Sequence, residues 1–302
     1  MEKPFILHML TTAKNLSPFD VNMAMDAGWV SAIPYTNIEA SEVQGLVQDA
    51  IFSRSNKNLK RTSIFIGGRD TKQAMDMLKI ARRSMIPPFE VSVFADPSGA
   101  FTTAAAMVAT AENALLHKFG TSLQGKNVLS LGGTGPVGQA AAVIAAQAGA
   151  NVRIVGRQLD RAQHIADLCS NEFGDGKIHI DAGVDSQKSD YIKTIDVVFA
   201  TGAAGVELLS RDLIASAPQL KVAADVNAVP PSGIAGLDAF DNGKSIEGSI
   251  SGAVGIGALA IGNVKYQAQN LLLRKMLNCE KPVYLHFEHA FEVAREYIKL
   301  NS

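Results

Sequence analysis

The chain has 302 residues, 47% of them hydrophobic, and a formal net charge of −1 at pH 7. That length permits two domains of ordinary size, and the near-neutral charge argues against nucleic acid or an anionic membrane as a partner. Its apolar runs are too short for a signal peptide or a membrane span, and its two cysteines lack the spacing of a zinc site. We therefore expect a cytoplasmic protein with free thiols, no membrane segment and no bound metal.

The first part of the chain alternates between strand-like and helix-like segments. The apolar runs FILHML, WVSAIPYT, TSIFIGG and FEVSVFADP are each followed by a segment of helical character. This alternation predicts a mostly parallel sheet covered by helices, and the stretch contains no glycine-rich dinucleotide motif. We predict a two-domain α/β protein, with a substrate domain formed by residues 1–118 and 266–302 and a dinucleotide domain formed by residues 119–265.

A short apolar strand, NVLSL, leads into the most informative motif of the chain. The sequence GGTGPVG (132–138) follows, and then come an alanine-rich helix and a second strand. This βαβ arrangement predicts a Rossmann-type dinucleotide site, with a glycine-rich surface turn as the alternative. We expect Gly133 to turn the chain, Gly135 to leave room for the pyrophosphate, and Gly138 to let the helix approach the sheet. The predicted phosphate-binding residues lie at a helix N-terminus, which attracts anions, and are Gly133, Thr134, Gly135, Pro136, Val137 and Gly138.

The end of the second strand indicates which dinucleotide is bound. An NAD site usually has an acidic residue about 20 residues past the glycines, which holds the ribose 2′-hydroxyl. This chain has Gly156 and Arg157 there, and Arg161 follows in the next helix. A guanidinium forms charge-assisted hydrogen bonds with a phosphate, so we predict NADP as the cofactor. The sequence also leaves open whether the protein uses NAD in addition. Alternatively, Arg157 is an ordinary solvated arginine in the loop.

Two later strands, at residues 195–200 and 221–225, end in loops rich in glycine and proline. Ligands of open α/β sheets lie at the carboxyl ends of the strands, so these loops are expected to flank the nicotinamide. A third glycine-rich passage, residues 251–262, enters the helix that returns to the first domain. The predicted cofactor contacts in these segments are Thr201, Gly202, Ala203, Asn227 and Gly257, although glycine and proline also occur in ordinary turns.

Several longer segments resemble a known family. They are SPFDVNMAMDAG (17–28), FIGG (65–68), VFADPSGAFTTAAAMVA (93–109), GGTGPVG (132–138), DVNAVPPSGIAGLD (225–238) and GIGALAIGNVKYQ (255–267). Together they resemble the NAD(P)-dependent methylene-tetrahydromethanopterin dehydrogenases of methylotrophic bacteria, which are related in fold to methylene-tetrahydrofolate dehydrogenases. The resemblance spans essentially the whole chain. The glycine motif is shared with many unrelated enzymes, whereas the other five segments are far more specific.

The resemblance implies oxidation of a methylene group that bridges two pterin nitrogens, with hydride transfer to the nicotinamide. The product is a delocalised methenyl cation, so this step needs no general acid or base. The protein is then expected to position the two reactants and exclude water, while the cofactor carries the chemistry. The implied partners are a small pterin substrate and further copies of the chain in a homo-oligomer.

On the pterin side, Asp20 and Lys265 are the candidate catalytic residues. Asp20 could accept hydrogen bonds from the pterin ring, but Ser17 and Asp20 also have the spacing of a helix capping box. Lys265 could polarise a pterin carbonyl, or it could be a solvated lysine. The remaining candidate substrate contacts are Asp26, which could instead be surface, and four residues that could instead cap a helix: Asp96, Ser98, Thr102 and Thr103.

Three other functions stay open at this point. One is a methylene-tetrahydrofolate dehydrogenase. Another is a different NADP-linked reductase of the shikimate dehydrogenase type. Such an enzyme would have a catalytic pair of a lysine and an aspartate in the first domain, and Lys14 and Asp20 match that pair only in part. The third is a non-catalytic NADPH sensor. Fold alone does not decide among them, because function depends on the residues of the site. Accompanying hydrolysis of the methenyl product is also open.

Overall fold

The computed structural model describes residues 3–301, which fall into two compact units. The first unit contains the described residues up to Thr102 together with Tyr266–Val293. The second contains Thr103–Lys265 together with the described residues from Ala294 onward. Each unit is built around its own sheet, which is parallel in the first unit and mostly parallel in the second.

The sheet of the first unit has five strands, all parallel. Its elements are β1 (Ile6–Leu10), α1 (Pro18–Ala27), β2 (Ser31–Tyr35), α2 (Val43–Phe52), α3 (Asn56–Leu59), β3 (Thr62–Ile66), α4 (Thr71–Arg83), β4 (Ser92–Ala95) and, after the chain returns, β12 (Tyr284–Leu285). The strand order is β12-β4-β3-β1-β2. Every residue of β3 and β4 is buried, as expected for central strands covered on both faces.

The sheet of the second unit has seven strands. Its elements are β5 (Asn127–Leu131), α6 (Pro136–Gln147), β6 (Asn151–Gly156), α7 (Leu159–Leu168), β7 (Ile180–Val184), α8 (Lys188–Tyr191), β8 (Val197–Ala200), α9 (Arg211–Ala215), β9 (Val222–Asp225), β10 (Asn242–Ser245) and β11 (Val254–Ile256). The order is β10-β11-β9-β8-β5-β6-β7, and β10 alone pairs antiparallel within this sheet. The six parallel strands have the dinucleotide-binding order, which reverses between β5 and β8.

The composition of α6 explains how the dinucleotide unit is assembled. Its residues from Gly138 to Ala146 are all buried, because small side chains allow the helix to lie close to the sheet. The core contains Leu129, Val198 and Ala223 from three neighbouring strands. The strand, turn and helix predicted around the glycine motif are therefore confirmed.

Three long helices contribute residues to both units: α5 (Ala100–Phe119), α10 (Ala258–Asn278) and α11 (Phe287–Asn301). The predicted domain boundaries differ from the compact units in residues 103–118 and 294–302, which belong to α5 and α11. Sequence periodicity shows that such a segment is helical and amphipathic, but it does not show which core its apolar face joins.

Neither cysteine forms a disulfide. Cys169 is completely buried, and burial raises the pKa of its thiol to about 12. Cys279 is half-buried and lies 3.3 Å from the Ser92 hydroxyl. Among residues 3–301, none of the helices has both the length and the apolar character that a bilayer crossing requires.

Candidate functional site

The glycine turn after β5 is shaped by two close backbone approaches. Gly132 has φ +69°, and a Cβ on it would lie 2.5 Å from the Cα of Gly202. A Cβ on Gly133 would lie 2.6 Å from the Ser130 carbonyl oxygen. The left-handed residue of the turn is therefore Gly132, which the sequence analysis did not single out. Gly133 is needed because it approaches the end of the strand closely.

Gly138 lies close both to the glycine turn and to the end of β8. A Cβ there would lie 2.5 Å from the Gly133 Cα and 2.6 Å from the Thr201 hydroxyl. Thr201 in turn donates a 2.9 Å hydrogen bond from its backbone amide to the Leu131 carbonyl. These contacts hold the turn, α6 and the end of β8 together at the point where the strand order reverses.

Gly135 differs from its neighbours in having space around it. The nearest protein atom to a Cβ placed there is the Gly132 carbonyl oxygen, at 3.6 Å. Gly135 is the N-cap of α6, with φ −82° and ψ 167°, and Pro136 follows as the first helical residue. The next amides, of Val137 and Gly138, belong to the first turn, where no carbonyl precedes them within the helix. The turn thus presents amides and an open backbone surface to a phosphate, which fits a dinucleotide.

A cavity of about 360 Å³ lies beside this turn and is lined by Thr134, Arg157, Gln158 and Arg161. Both arginines are exposed, and no acidic side chain lines the cavity. A Cβ on Gly156 would lie 2.8 Å from the Thr134 side chain, so only glycine permits this approach. The geometry fits a 2′-phosphate held by two guanidinium groups. Gln158, the N-cap residue of α7, lines the same cavity and was not predicted.

Asp225, which the sequence analysis did not predict, organises the loop after β9. Its buried carboxylate accepts hydrogen bonds from the amides of Asn227 (2.9 Å), Gly233 (2.6 Å) and Ile234 (3.2 Å). Burial nevertheless raises the pKa of the Asp225 carboxyl, and these amides oppose the shift. The Asn227 side chain donates to the Pro231 carbonyl. The Asn227 side chain therefore stabilises the conformation of this loop.

Open space lies at the carboxyl end of β9, whereas the backbone at Gly257 and the loop after β8 are closely packed. A cavity of about 280 Å³ at the carboxyl end of β9 is lined by both Asn227 and Gly257. A Cβ on Gly257 would lie 2.1 Å from the Asp238 carbonyl, so the backbone packs tightly there. Gly202 has Leu208 as its nearest side chain, and Ala203 is exposed.

Asp20 of the first unit is buried, with 3% of its surface exposed. Ser17 is the N-cap of α1 but makes no side-chain capping hydrogen bond, so the predicted capping box with Asp20 is wrong. Instead Asp20 Oδ1 accepts a 2.8 Å hydrogen bond from Nε2 of Gln269 on α10. Asp26, in the last turn of α1, is exposed.

Asp96 and Thr102 are engaged with each other at the start of α5. The Asp96 carboxylate accepts from the amides of Phe101 (2.9 Å) and Thr102 (3.2 Å) and from the Thr102 hydroxyl (2.7 Å). Both side chains are fully buried. Asp96 caps the first amides of α5, which confirms the capping explanation for Asp96, whereas Thr102 acts as a donor to it. Ser98 has φ +51° and donates its hydroxyl to the Gly68 carbonyl at 2.7 Å.

The other two candidates are half-buried on long helices. Thr103 lies in the first turn of α5, and Lys265 lies on α10 four residues before Gln269. Residues four apart on a helix share a face, so Lys265 and Gln269 project from the same side of α10.

Within residues 3–301, no group of three or more His, Cys, Asp or Glu side chains is placed to hold a metal ion. His286 and His289, which have helical spacing, pack ring against ring with centroids 4.7 Å apart. Burial, and secondarily the charge of His289, lower the pKa of His286 to about 3. His286 is therefore neutral at physiological pH, and its half-buried ring packs against that of His289.

His286 should make the protein sensitive to acid. Its folded-state pKa is about 3 and its unfolded pKa is near 6.5, so the unfolded chain binds more protons between those values. Stability from this group is complete above the unfolded pKa and is lost as the pH falls. We expect protonation linked to His286 to lower the free energy of unfolding by about 3 kcal/mol between pH 7 and pH 4.

Urea unfolding of His286→Leu and of the parent protein at several pH values tests this expectation. The variant should lose less stability on acidification. His179→Leu is the matched control, because the His179 side chain is 85% exposed. Equal pH dependence in His286→Leu and the parent would contradict the assignment.

Comparison with known proteins identifies chains that are similar to this one. The family profile described as "Methylene-tetrahydromethanopterin dehydrogenase, N-terminal" matches residues 18–98. The chain is 46% identical, over 96% of its length and 98% of the relative, to an NAD(P)-dependent methylenetetrahydromethanopterin dehydrogenase of Methylorubrum extorquens. It is 33% identical, over the same shares, to "Bifunctional protein MdtA" of that organism.

A solved structure shares the fold at much lower sequence identity. Quinate dehydrogenase from Corynebacterium glutamicum in complex with NAD superposes with a TM-score of 0.55 at 13% identity, covering 98% of this chain and 99% of that one. This similarity shows the fold alone, which is the predicted two-domain dehydrogenase architecture. The relative of 46% identity, together with the matching family profile, carries the assignment further: the chain belongs to the methylene-tetrahydromethanopterin dehydrogenase family.

Proposed function

We propose that this protein oxidises methylene-tetrahydromethanopterin to methenyl-tetrahydromethanopterin, with transfer of a hydride to NADP⁺ or, less efficiently, NAD⁺. The observation that carries the proposal is the whole-length 46% identity to a relative named for this reaction, together with a dinucleotide turn intact at every glycine. Such a reaction serves one-carbon metabolism, in which formaldehyde is oxidised.

On the cofactor side, the second unit supplies binding and orientation. The amides at the start of α6 and the open surface of Gly135 are proposed to hold the pyrophosphate. Arg157 and Arg161 are proposed to hold a 2′-phosphate in the cavity that they share with Thr134. The loops that carry Thr201 and Asn227 leave the carboxyl ends of β8 and β9, where they would position the nicotinamide.

The bound nicotinamide supplies the hydride acceptor, and the protein's own groups position the donor. No residue has to remove a proton, because loss of hydride from the methylene bridge leaves a delocalised cation. We assign Asp20 to accept hydrogen bonds from the amino-pyrimidine edge of the pterin and Lys265 to orient its carbonyl. The Asp20 carboxylate is 3% exposed and accepts a hydrogen bond from Gln269. Asp26, Ser98 and Thr103 remain candidate contacts, whereas Asp96 and Thr102 are occupied with capping.

An absorbance assay of NAD(P)H formation tests the proposal. Methylene-tetrahydromethanopterin and methylene-tetrahydrofolate are each supplied with NADP⁺ and with NAD⁺, and we expect turnover with the methanopterin substrate. Preference for the folate substrate would make the protein a methylene-tetrahydrofolate dehydrogenase. Tight NADPH binding without turnover of either pterin would reject the proposal and favour a shikimate dehydrogenase-like reductase or an NADPH sensor.

Two further properties belong to the proposal. We infer a cytoplasmic location, supported by two cysteines that form no disulfide, which is typical of a reducing compartment. We also infer a homo-oligomer. Light scattering of the purified protein measures its oligomeric state directly.

A further inference from the structure

A buried hydrogen bond joins two residues that are 249 positions apart in the sequence: Nε2 of Gln269 donates to Oδ1 of Asp20 at 2.8 Å. Gln269 is fully buried and Asp20 is 3% exposed. Gln269 lies on α10 and Asp20 in the first turn of α1, and both belong to the first unit. A bond of this kind, between a neutral amide and a carboxylate, is among the stronger ones in proteins.

The amide of Gln269 has only one orientation that suits this neighbour. An ionised carboxylate accepts hydrogen bonds and donates none, so the NH₂ group must face Asp20. The other end of the amide, Oε1, is then buried without a hydrogen-bond partner among the described residues. A buried acceptor without a donor destabilises the folded state. An apolar side chain of the same length would avoid this cost but would remove this donor from Asp20, so the hydrogen bond to Asp20 is what glutamine specifically supplies at this position.

We propose that Gln269 is a positioning residue that fixes the Asp20 carboxylate in the orientation needed to receive the donor-rich edge of the pterin ring. This inference rests on the proposed function. Gln269 acts through Asp20 and stabilises one rotamer of its side chain.

Gln269→Met tests the inference, because methionine has a similar length and cannot donate a hydrogen bond. We expect the KM for methylene-tetrahydromethanopterin to rise about tenfold, as for loss of a hydrogen bond to a charged group, with a much smaller change in kcat. The melting temperature should fall only modestly, because loss of the donor to Asp20 is partly offset by removal of the unpaired acceptor. NADPH affinity should not change. Gln267→Met, the same substitution on another side of α10, is the matched control.

A double-mutant cycle distinguishes action through Asp20 from a general packing effect. In the Asp20→Ala background, Gln269→Met should no longer change the KM. An unchanged KM in the active single variant, a KM effect that persists without Asp20, or a large fall in melting temperature would each overturn the inference. If the unmodified protein does not turn over the substrate, the proposed function is rejected, and so is the role of Gln269 in substrate binding. An unaltered KM in an active enzyme would overturn the positioning role alone.

Discussion

Gly135→Ala is expected to fold like the parent protein and to lose most of its affinity for NADPH. The backbone of Gly135 has φ −82° and ψ 167°, which alanine adopts without strain, and the nearest protein atom to the new Cβ is 3.6 Å away. The methyl group would instead occupy the space over which the pyrophosphate lies. A steric overlap of about 1–3 kcal/mol corresponds to a loss of roughly 5- to 150-fold in affinity. Thermal unfolding and NADPH fluorescence titration measure the two quantities separately.

Gly138→Ala provides the contrasting variant. Its Cβ would meet backbone at 2.5 Å, so we expect a clear fall in melting temperature together with the loss of cofactor binding. A Gly135→Ala protein that is equally destabilised would show that Gly135 is needed for folding. One that binds NADPH normally would show that the phosphates do not pass over this residue.

The cofactor unit was predictable from its sequence because its signals are local. A strand, a glycine turn and an alanine-rich helix occupy fewer than 25 consecutive residues, and each element constrains the next. The same local pattern did not distinguish the roles of Gly132 and Gly133. Gly132, which has the positive φ, is approached closely by Gly202 from the loop after β8, and a sequence motif does not contain that distance.

The substrate side was less predictable because its contacts are distant in sequence. A local rule assigned Asp20 to a capping box with Ser17, whereas its carboxylate accepts from Gln269 on α10. For Asp96 the local capping rule was correct, because all three donors lie within six residues of it. The difference is physical: a buried carboxylate bonds to whichever donors packing brings to it, and only some of these are sequence neighbours.

Arg157→Ala is expected to abolish the preference for NADPH over NADH. Arg157 and Arg161 are the charged residues lining the cavity of about 360 Å³ beside the glycine turn. Loss of a hydrogen bond to a charged group costs about 1.5–3 kcal/mol, so NADPH affinity should fall roughly 10- to 150-fold. NADH has no 2′-phosphate, so its affinity should change little. Titration of each reduced cofactor by fluorescence measures this without any pterin substrate.

The salt dependence of binding adds an independent criterion for the same variant. A guanidinium that pairs with a phosphate at an exposed site is screened by added salt, so NADPH affinity in the parent protein should fall as ionic strength rises. Arg157→Ala should reduce that dependence, and Arg161→Ala should reduce it further when the two are combined. Arg83→Ala, at an exposed arginine in the last turn of α4, is the control for a change of net charge alone. If NADPH and NADH affinities fell equally in Arg157→Ala, the guanidinium would be contacting a group common to both cofactors. The absence of an acidic residue at the end of β6 would then no longer be evidence for NADP. The choice between NADP and NAD would depend on residues outside this cavity.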